Sequence, residues 1–323
     1  MEIRPEVVRG AVASVDARRR WTRGGRKQER LPGEARRIAY LYIAPAFILY
    51  AAFNLVPLVQ GVNISFYNWD GITPGTWAGL SNYTDFFTDP LIRQGYVHVL
   101  QLMLFYAFLP IVFGLFLAAL LSRIRIRGLT AFRLVLFLPL VITDVATAVA
   151  WTWVYDVNGP LSTFLRAVGL GSLVPAQGWL GSFNTALPAV GVFGLWGAFG
   201  FCLILFLAGV MKIPASLYEA ARVDGANAIH EFFAVTLPGL RYELQVVLVL
   251  SLIDTLGTFD EIYVMTSGGP GTATSVPAYL VWRRMFQTSQ VGSAAALGIT
   301  LMLIIFAVTY AANKLMDRWG DDE

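Results

Sequence analysis

Charged residues are scarce in this sequence. Only 14% of its 323 residues are Asp, Glu, Lys or Arg, whereas 56% are hydrophobic. Soluble domains carry about 25% charged residues, so the chain lacks the polar surface that water requires. A bilayer is crossed by about 20 apolar residues, and four longer stretches hold no charge: Ile38–Trp69, Gln94–Ser122, Ala167–Met211 and Met285–Asn313. The composition predicts a polytopic membrane protein.

The residue types that build many enzyme sites are also rare. The single cysteine, Cys202, excludes an internal disulfide and a thiolate cluster. His98 and His230 lie far apart without ligand-like spacing, so we expect structural roles for both. No lysine follows a glycine, so a Walker A nucleotide loop is absent. We expect no metal site, no catalytic residue and no ATP hydrolysis by this chain.

Hydropathy predicts an all-α fold with six transmembrane helices. The third and fifth spans each contain an acidic residue, Asp144 and Asp254, which makes them the least regular of the six. The predicted spans are Ile38–Val62, Val97–Leu121, Leu129–Tyr155, Leu187–Val210, Tyr242–Met265 and Val291–Asn313.

The distribution of Lys and Arg predicts the orientation. With a cytoplasmic N-terminus, 20 of the 24 basic residues fall in inner segments and only 4 in outer loops. Both termini are therefore expected inside. The chain divides into a basic cytoplasmic tail over residues 1–37, a six-span domain over residues 38–313 and a cytoplasmic tail over residues 314–323. The first tail is interpreted as a flexible topology signal, with an interfacial, lipid-binding helix as the alternative.

One charged stretch, Glu219–Pro238, separates two apolar runs and is predicted to be cytoplasmic. Ser216 and Glu219 have the spacing of a capping box, which predicts a short helix over Leu217–Val223. Asp224-Gly225 predicts a turn, because glycine accepts a positive φ. A second helical piece is expected over Ala226–Val235. Two short helices joined by an elbow favour docking to a partner, and the alternative is a capped loop lying on lipid headgroups.

This charged stretch and several others resemble the permease subunits of ATP-binding-cassette importers, specifically those of the carbohydrate-uptake branch. The signature of this family begins with E-A-A, has a G after three further residues, and closes with L-P. In this sequence the matching residues are Glu219-Ala220-Ala221, Gly225 and Leu237-Pro238. Four further stretches resemble the family in order along the chain: "WAGLSNYTDFF", "FRLVLFLPLVIT", "FLAGVMKIPASLYEAARVDGA" and "FDEIYVMTSGGPGTATS". The "TSGGPG" stretch resembles the first permease of the sugar-type pair.

The resemblance implies a type I importer permease fold in a bacterial or archaeal cytoplasmic membrane, surrounded by membrane lipid. It implies a coupling loop over residues 212–241 that is moved by an ATP-hydrolysing subunit. It also implies a second homologous permease, two ATP-binding subunits that hold ATP and Mg, and an external sugar-binding protein, with no nucleic-acid partner. By position, the contact with the ATPase subunit is assigned to Glu219, Ala220, Ala221, Asp224 and Gly225.

A polar stripe in the fifth span is the candidate substrate path. Ser251, Asp254, Thr255 and Thr258 recur at three- and four-residue spacing, and polar groups within a membrane usually face a protein interior or a cavity. Hydrogen bonding to the partner permease is the alternative. By resemblance, Trp196 and Phe201 in the fourth span are also assigned to the path, although core packing is an alternative for Phe201.

Asp144 departs from the family pattern, in which a small or hydroxyl residue is expected. Three roles remain open for Asp144: a substrate contact, an ion pair with the partner permease, and a protonated carboxyl that is hydrogen-bonded in the core.

Two other functions compete with ATP-driven uptake. An ion-coupled secondary transporter could use Asp144 and Asp254, but no inverted repeat is evident. A scaffold without transport would leave the polar stripe unexplained. The cargo is not decided between sugars of different length and a glycerol phosphoester.

Overall fold

The computed structural model describes residues 36–123, 136 and 139–321. These described residues separate into two compact units, of which the first ends at Leu58 and the second begins at Val59. The first predicted span begins with helix α1 and continues through a π-helical segment, Ala51–Leu55. The helices through the second span are α1 (Arg36–Tyr50), α2 (Val56–Ile64), α3 (Ser81–Thr88), α4 (Pro90–Met103) and α5 (Leu109–Arg123). Between α2 and α3 lies one antiparallel strand pair, Tyr67–Asn68 with Thr76–Trp77.

The remaining described helices follow the same chain order. They are α6 (Asp144–Val154), α7 (Pro160–Ala167), α8 (Ala186–Val210), α9 (Ala215–Val223), α10 (Ala228–Glu231), α11 (Leu237–Gly239), α12 (Arg241–Gly257), α13 (Asp260–Met265), α14 (Pro277–Trp282) and α15 (Val291–Asp321). Further π-helical segments occupy Leu104–Phe108, Phe232–Thr236 and Arg283–Gln287, and a 3-10 turn occupies Gly171–Leu173. The described part of the chain is thus mostly helical.

Four of the predicted spans correspond to helices that are long and apolar enough to cross a membrane: Tyr40–Ile64, Pro90–Leu121, Ala186–Val210 and Val291–Arg318. The second of these begins seven residues before the predicted Val97, because Asp89 caps the helix and Pro90 occupies its first turn. A bent pair, Ala228–Gly239 with Arg241–Gly257, meets at 70° and counts as a fifth span if it is taken as one. The bend falls just after Pro238, a residue that cannot continue the backbone hydrogen bonding of a helix.

The third and fifth predicted spans are not continuous helices. In the third, whose first residues lie outside the described part of the chain, Thr143 is extended (φ −62°, ψ 139°) and α6 begins at Asp144. In the fifth, α12 ends at Gly257, Thr258 is extended and α13 begins at Asp260. Threonine hydroxyls accompany both breaks, since Thr147 donates to the carbonyl oxygen of Thr143 at 2.8 Å. Membrane helices tolerate breaks where such groups satisfy the freed backbone.

Helices α5 and α8 pack closely along one another and form the centre of one hydrophobic core. A Cβ atom added to Gly114 on α5 would lie 3.0 Å from Cβ of Cys202 on α8, so the two backbones approach as closely as glycine allows. Such small-residue contacts replace the hydrophobic effect, which does not drive helix association in lipid. Cys202 is fully buried there as a packing residue.

Arg284 ties three separate elements together near one end of the molecule. Its guanidinium donates to Asp85 Oδ2 on α3 at 3.1 Å and to Asp89, which caps α4. It also donates to the Ser293 hydroxyl on α15. A planar guanidinium reaches several oxygens at once, so one side chain fixes α3, α4 and α15 relative to one another.

His98 has the structural role expected for it. The buried ring lies on α4, and its Nδ1 is 2.8 Å from the carbonyl oxygen of Ser275. Ser275 ends the glycine-rich turn that follows α13. This contact therefore links the turn to the second span.

Candidate functional site

The segment between α8 and α12 forms a two-part element, the coupling-loop candidate. Its first helix, α9, begins at Ala215 with Pro214 as N-cap, so Ser216 lies inside the first turn. The predicted capping box of Ser216 and Glu219 is therefore wrong, and the helix begins two residues earlier than predicted. The reason is Pro214, whose fixed φ of −60° already suits the start of a helix.

The elbow after α9 has the geometry of a Schellman motif. The amide of Ala226 donates to the carbonyl oxygen of Ala221 at 2.9 Å, and that of Gly225 donates to Arg222 at 3.0 Å. Gly225 has a φ of +82°, as the Asp-Gly turn predicted. Asn227 then caps α10 by accepting hydrogen bonds from the amides of Ile229 and His230. The elbow therefore has a defined shape in which most turn-forming groups are satisfied.

Two side-chain contacts hold α9 against the second part of the loop. Arg222 Nε donates to Glu231 Oε1 at 2.9 Å, and the Glu231 side chain is only 4% exposed. The Tyr218 and Thr236 hydroxyls lie 3.1 Å apart. The second part runs through α10, a π-helical turn and α11, so it extends four residues beyond the predicted end at Val235. Both ties cross the elbow and hold the two parts of the loop against each other.

The base of the loop is braced against α12. Lys212 Nζ donates to Glu243 Oε1 at 2.8 Å, and a Cβ atom on Gly209 would lie 2.5 Å from the Leu240 side chain. Leu240 itself is fully buried at the bend. The loop therefore contacts the bases of both α8 and α12.

The surface of α9 faces away from the rest of the described chain. Of the residues assigned to the ATPase contact, Glu219, Ala220, Asp224 and Gly225 are exposed and Ala221 is half-buried. Leu217 is 51% exposed and Val223 87% exposed. This surface combines apolar side chains, a small-residue patch and two carboxylates, and such a combination is suited to close contact with another protein.

A cavity of about 430 Å³ lies between the central helices of the second unit. Its polar side chains come from α6, α12, α13 and the π-helical segment after α4, which holds Tyr106, whereas α8 contributes apolar residues and glycines. The residues that line it are Tyr106, Leu140, Asp144, Phe193, Gly194, Gly197, Ala198, Phe201, Leu250, Ser251, Ile253, Asp254 and Glu261. We refer to it as the carboxylate cavity.

The structure brings three of the predicted path residues to this cavity: Phe201, Ser251 and Asp254. Thr255 is fully buried elsewhere on α12, and its hydroxyl donates to the Ser251 carbonyl oxygen at 2.6 Å. Thr258 does not continue the predicted helical stripe, because the helix ends before it. Its hydroxyl donates to the Asp254 carbonyl oxygen at 3.2 Å. Both threonines thus satisfy backbone carbonyl groups.

Trp196 lies on another face of α8. It lines a separate apolar groove with Phe113, Phe116 and Trp151, and its ring centroid is 5.5 Å from that of Trp151. Trp196 and Phe201 are five residues apart, which places them on different sides of an α-helix. The predicted pair is therefore divided between two surfaces.

Glu261 and Tyr106 are cavity residues that sequence reasoning did not assign to the path. Glu261 lies after the break in the fifth span and comes back to the cavity because α13 packs against α6. Tyr106 reaches α8 because residue 194 is glycine, where a Cβ atom would lie 2.0 Å from the tyrosine ring. Glu261 could have been predicted as a cavity residue, because it is an acidic residue near the end of an apolar span. No sequence feature indicated that Tyr106 would line the cavity.

Helices of membrane-spanning length, spans interrupted around a polar cavity, and a braced loop between two of them define a membrane transport component. The chain belongs to the family described as binding-protein-dependent transport system inner membrane components, which matches residues 71–319. It is accordingly a permease subunit of an ABC transporter, a transport component and not an enzyme.

Similar proteins agree with this assignment. A probable ABC transporter permease protein YurN of Bacillus subtilis is 33% identical over 88% of this chain and 98% of its own length. A multiple sugar-binding transport system permease protein MsmF of Streptococcus mutans is 32% identical over 87% of this chain and 95% of its own. A sulfoquinovosyl glycerol transport system permease protein SmoG of Agrobacterium fabrum is 32% identical over 90% and 92%.

The fold is similar to that of a chain in the crystal structure of a bacterial ABC transporter involved in the import of the acidic polysaccharide alginate. The TM-score is 0.73 at 23% sequence identity, over 87% of this chain and 95% of the other. The described residues therefore have the fold of an ABC importer permease. This assignment favours ATP-driven uptake over the ion-coupled and scaffold alternatives.

Proposed function

We propose that this chain is one of two paired permeases in an ATP-driven sugar importer, and that residues 212–241 couple the membrane path to ATP hydrolysis. Support for a sugar cargo comes from relatives whose names specify sugars or sugar derivatives. The domain then comprises six spans over residues 38–313, with the interrupted third and fifth spans around the carboxylate cavity. Both termini face the cytoplasm, as the 20-to-4 division of basic residues indicates.

The proposed assembly contains a second homologous permease, two ATP-binding subunits and an external sugar-binding protein. ATP and Mg are held by the ATP-binding subunits, and this chain binds no cofactor. Membrane lipid surrounds the spans, and no nucleic acid takes part. The proposal of an external binding protein is supported by a structure of similar fold, a bacterial alginate ABC transporter in complex with an alginate pentasaccharide-bound periplasmic protein.

The observation that carries the coupling role is the construction of the loop. An internally tied, two-part element stands between two central helices and exposes Glu219, Ala220, Asp224 and Gly225 on its first helix. A loop that only joined two helices would need neither the ties across the elbow nor the bracing of Lys212 against Glu243. Rigid elements transmit displacement between sites, so this construction is suited to coupling.

The first test is a matched pair of valine substitutions. Gly225 has a φ of +82° and Gly169 a φ of +83°, and neither has any atom within 4 Å of an added Cβ. A non-glycine residue in this left-handed region costs about 1–2 kcal/mol. We expect Gly225→Val to abolish sugar-stimulated ATPase activity and uptake in the purified complex, whereas Gly169→Val, outside the loop, retains both.

A second substitution tests the exposed surface without backbone strain. Glu219→Lys reverses a charge on α9 and should release the ATP-binding subunits in a pull-down while the permease remains inserted. If Gly225→Val and Glu219→Lys both keep stimulated ATPase activity and uptake near the unsubstituted level, the loop is not the coupling element.

A further inference from the structure

The carboxylate cavity has an excess of acidic over basic side chains among its described lining residues. Asp144, Asp254 and Glu261 all line it, and no Lys or Arg occurs among its described lining residues. All three side chains face one shared cavity, although they come from three different helices, α6, α12 and α13. No group of three or more His, Cys, Asp or Glu in the described part of the chain could hold a metal ion, so this arrangement is not a metal site.

In the broken third span, an acidic residue of the chain occupies a helix N-terminus at the cavity, which is a position that favours an anion. The N-terminus of a helix favours negative charge, and broken membrane helices use such ends to receive anionic groups of a substrate. Here Asp144 is the first residue of α6, an 11-residue helix that begins at the cavity. The carboxylate of the chain itself is thus positioned at the helix end that could attract an anionic cargo.

An independent observation points to a polar ligand in the same cavity. Ser251 is only 7% exposed, and its hydroxyl has no hydrogen-bond partner among the described residues. The hydroxyl oxygen is not among the fully buried, unpartnered side-chain atoms of the described residues, so it is accessible from the cavity. The Tyr106 hydroxyl, also at the cavity, makes only a long contact of 3.5 Å with the Val190 carbonyl oxygen. Hydroxyl groups of a ligand would satisfy both side chains and the carboxylates.

We infer that Asp144, Asp254 and Glu261 make this path selective for saccharides without negative charge, neutral or amine-bearing, and exclude sugars that carry carboxylate, sulfonate or phosphate groups. The inference rests on the proposed function for the nature of the cargo. The cargo inferred here differs in charge from the one named for a relative, the sulfoquinovosyl glycerol permease.

The test measures the charge preference of the cavity with small thiol reagents and needs no knowledge of the cargo. Gly197 lines the cavity, and a Cβ atom there has no neighbour within 4 Å. Gly197→Cys is introduced with Cys202→Ser into the complete importer. The complex is then treated with a cationic and an anionic methanethiosulfonate reagent of similar size. Ser172→Cys, on an exposed 3-10 turn, is the reference thiol.

We expect the cationic reagent to be favoured at position 197 by roughly tenfold or more relative to the reference thiol, because a cleft of one charge sign concentrates counter-ions. The combined substitutions Asp144→Asn, Asp254→Asn and Glu261→Gln keep similar side-chain shapes and should return the ratio to the reference value. If Gly197→Cys fails to assemble, Ala198→Cys serves in its place, since Ala198 lines the same cavity.

A second readout is the sugar bound to the external binding protein that purifies with the importer, identified by mass spectrometry. An uncharged or amine-bearing sugar is expected. A reagent ratio equal to that of the reference thiol, a preference for the anionic reagent, or an acidic bound sugar would each overturn the inference. The reagent ratio requires neither ATP nor sugar. Loss of ATP-driven uptake with an unchanged ratio would therefore count against the proposed function alone.

Discussion

Gly194 and Gly197 are three residues apart on α8, yet their surroundings differ completely. A Cβ atom on Gly194 would lie 2.0 Å from the Tyr106 ring, whereas one on Gly197 would meet nothing within 4 Å. The first glycine admits the tyrosine that forms one wall of the carboxylate cavity. The second leaves the cavity open at its own position.

This contrast provides a matched pair of alanine substitutions. Gly194→Ala should lower the stability of the detergent-purified complex by about 1–3 kcal/mol, because overpacking forces Tyr106 or α8 to move. Gly197→Ala should leave stability unchanged or raise it slightly, since alanine is the better helix former. Thermal unfolding followed by fluorescence-detected gel filtration measures both variants. Equal melting temperatures for the two would contradict the close contact between Gly194 and Tyr106.

The polar residues of α12 separate into two roles at the residue scale. Ser251 and Asp254 line the cavity, whereas Thr255 and Thr258 donate to carbonyl oxygens one turn back. Threonine hydroxyls commonly form this bond within helices, which removes them from contact with a ligand. Helical spacing alone therefore did not distinguish a hydroxyl available for hydrogen bonding from one already paired.

At the scale of elements, Arg284 holds the short helix α3 between the second and sixth spans. Its side chain is 14% exposed and contacts Asp85, Asp89 and Ser293. The neighbouring Arg283 lies in the same π-helical segment, and no ion pair of it is found among the described residues. Substituting each arginine in turn therefore distinguishes the loss of this contact from the mere removal of a positive charge.

Arg284→Ala should destabilise the complex by about 1–3 kcal/mol, because hydrogen bonds to charged groups are lost and two carboxylates remain. Arg284→Lys should recover only part of the loss, since an ammonium group cannot span the same oxygens. Arg283→Ala should have little effect. Apparent melting temperature and limited proteolysis near α3 are the measurements. A larger effect at Arg283 than at Arg284 would show that the contact does not hold α3.

At the scale of the whole molecule, the orientation predicted from basic residues has a direct test. Ser216 on α9 and Ser172 on the 3-10 turn are both exposed, and cysteine replaces serine with little change of shape. In a Cys202→Ser background, an impermeant thiol reagent on intact cells should label Ser172→Cys at once. Ser216→Cys should react only after permeabilisation. The opposite pattern would invert the proposed topology and remove the loop from the ATPase side.

Much of the fold could be predicted from the sequence, because the membrane imposes long apolar runs that stand out in it. The helices at Tyr40–Ile64, Ala186–Val210 and Val291–Arg318 agree with predicted spans to within a few residues at their starts. The Gly225 elbow was also predictable, because Asp-Gly encodes a local turn. The start of α9 was mistaken, since Pro214 and Ser216 were competing start signals and only the folded backbone shows which one is used.

The sequence by itself therefore determined the class of protein, the apolar helices and the elbow, because each depends on residues that are neighbours in the chain. Only the tertiary structure decided which polar residues meet. Asp144, Asp254 and Glu261 reach one cavity through breaks at Thr143 and Thr258 and through the packing of α13 against α6. Trp196 was placed in another groove by its angle around α8. Such meetings depend on distances between elements far apart in sequence, which local patterns do not encode.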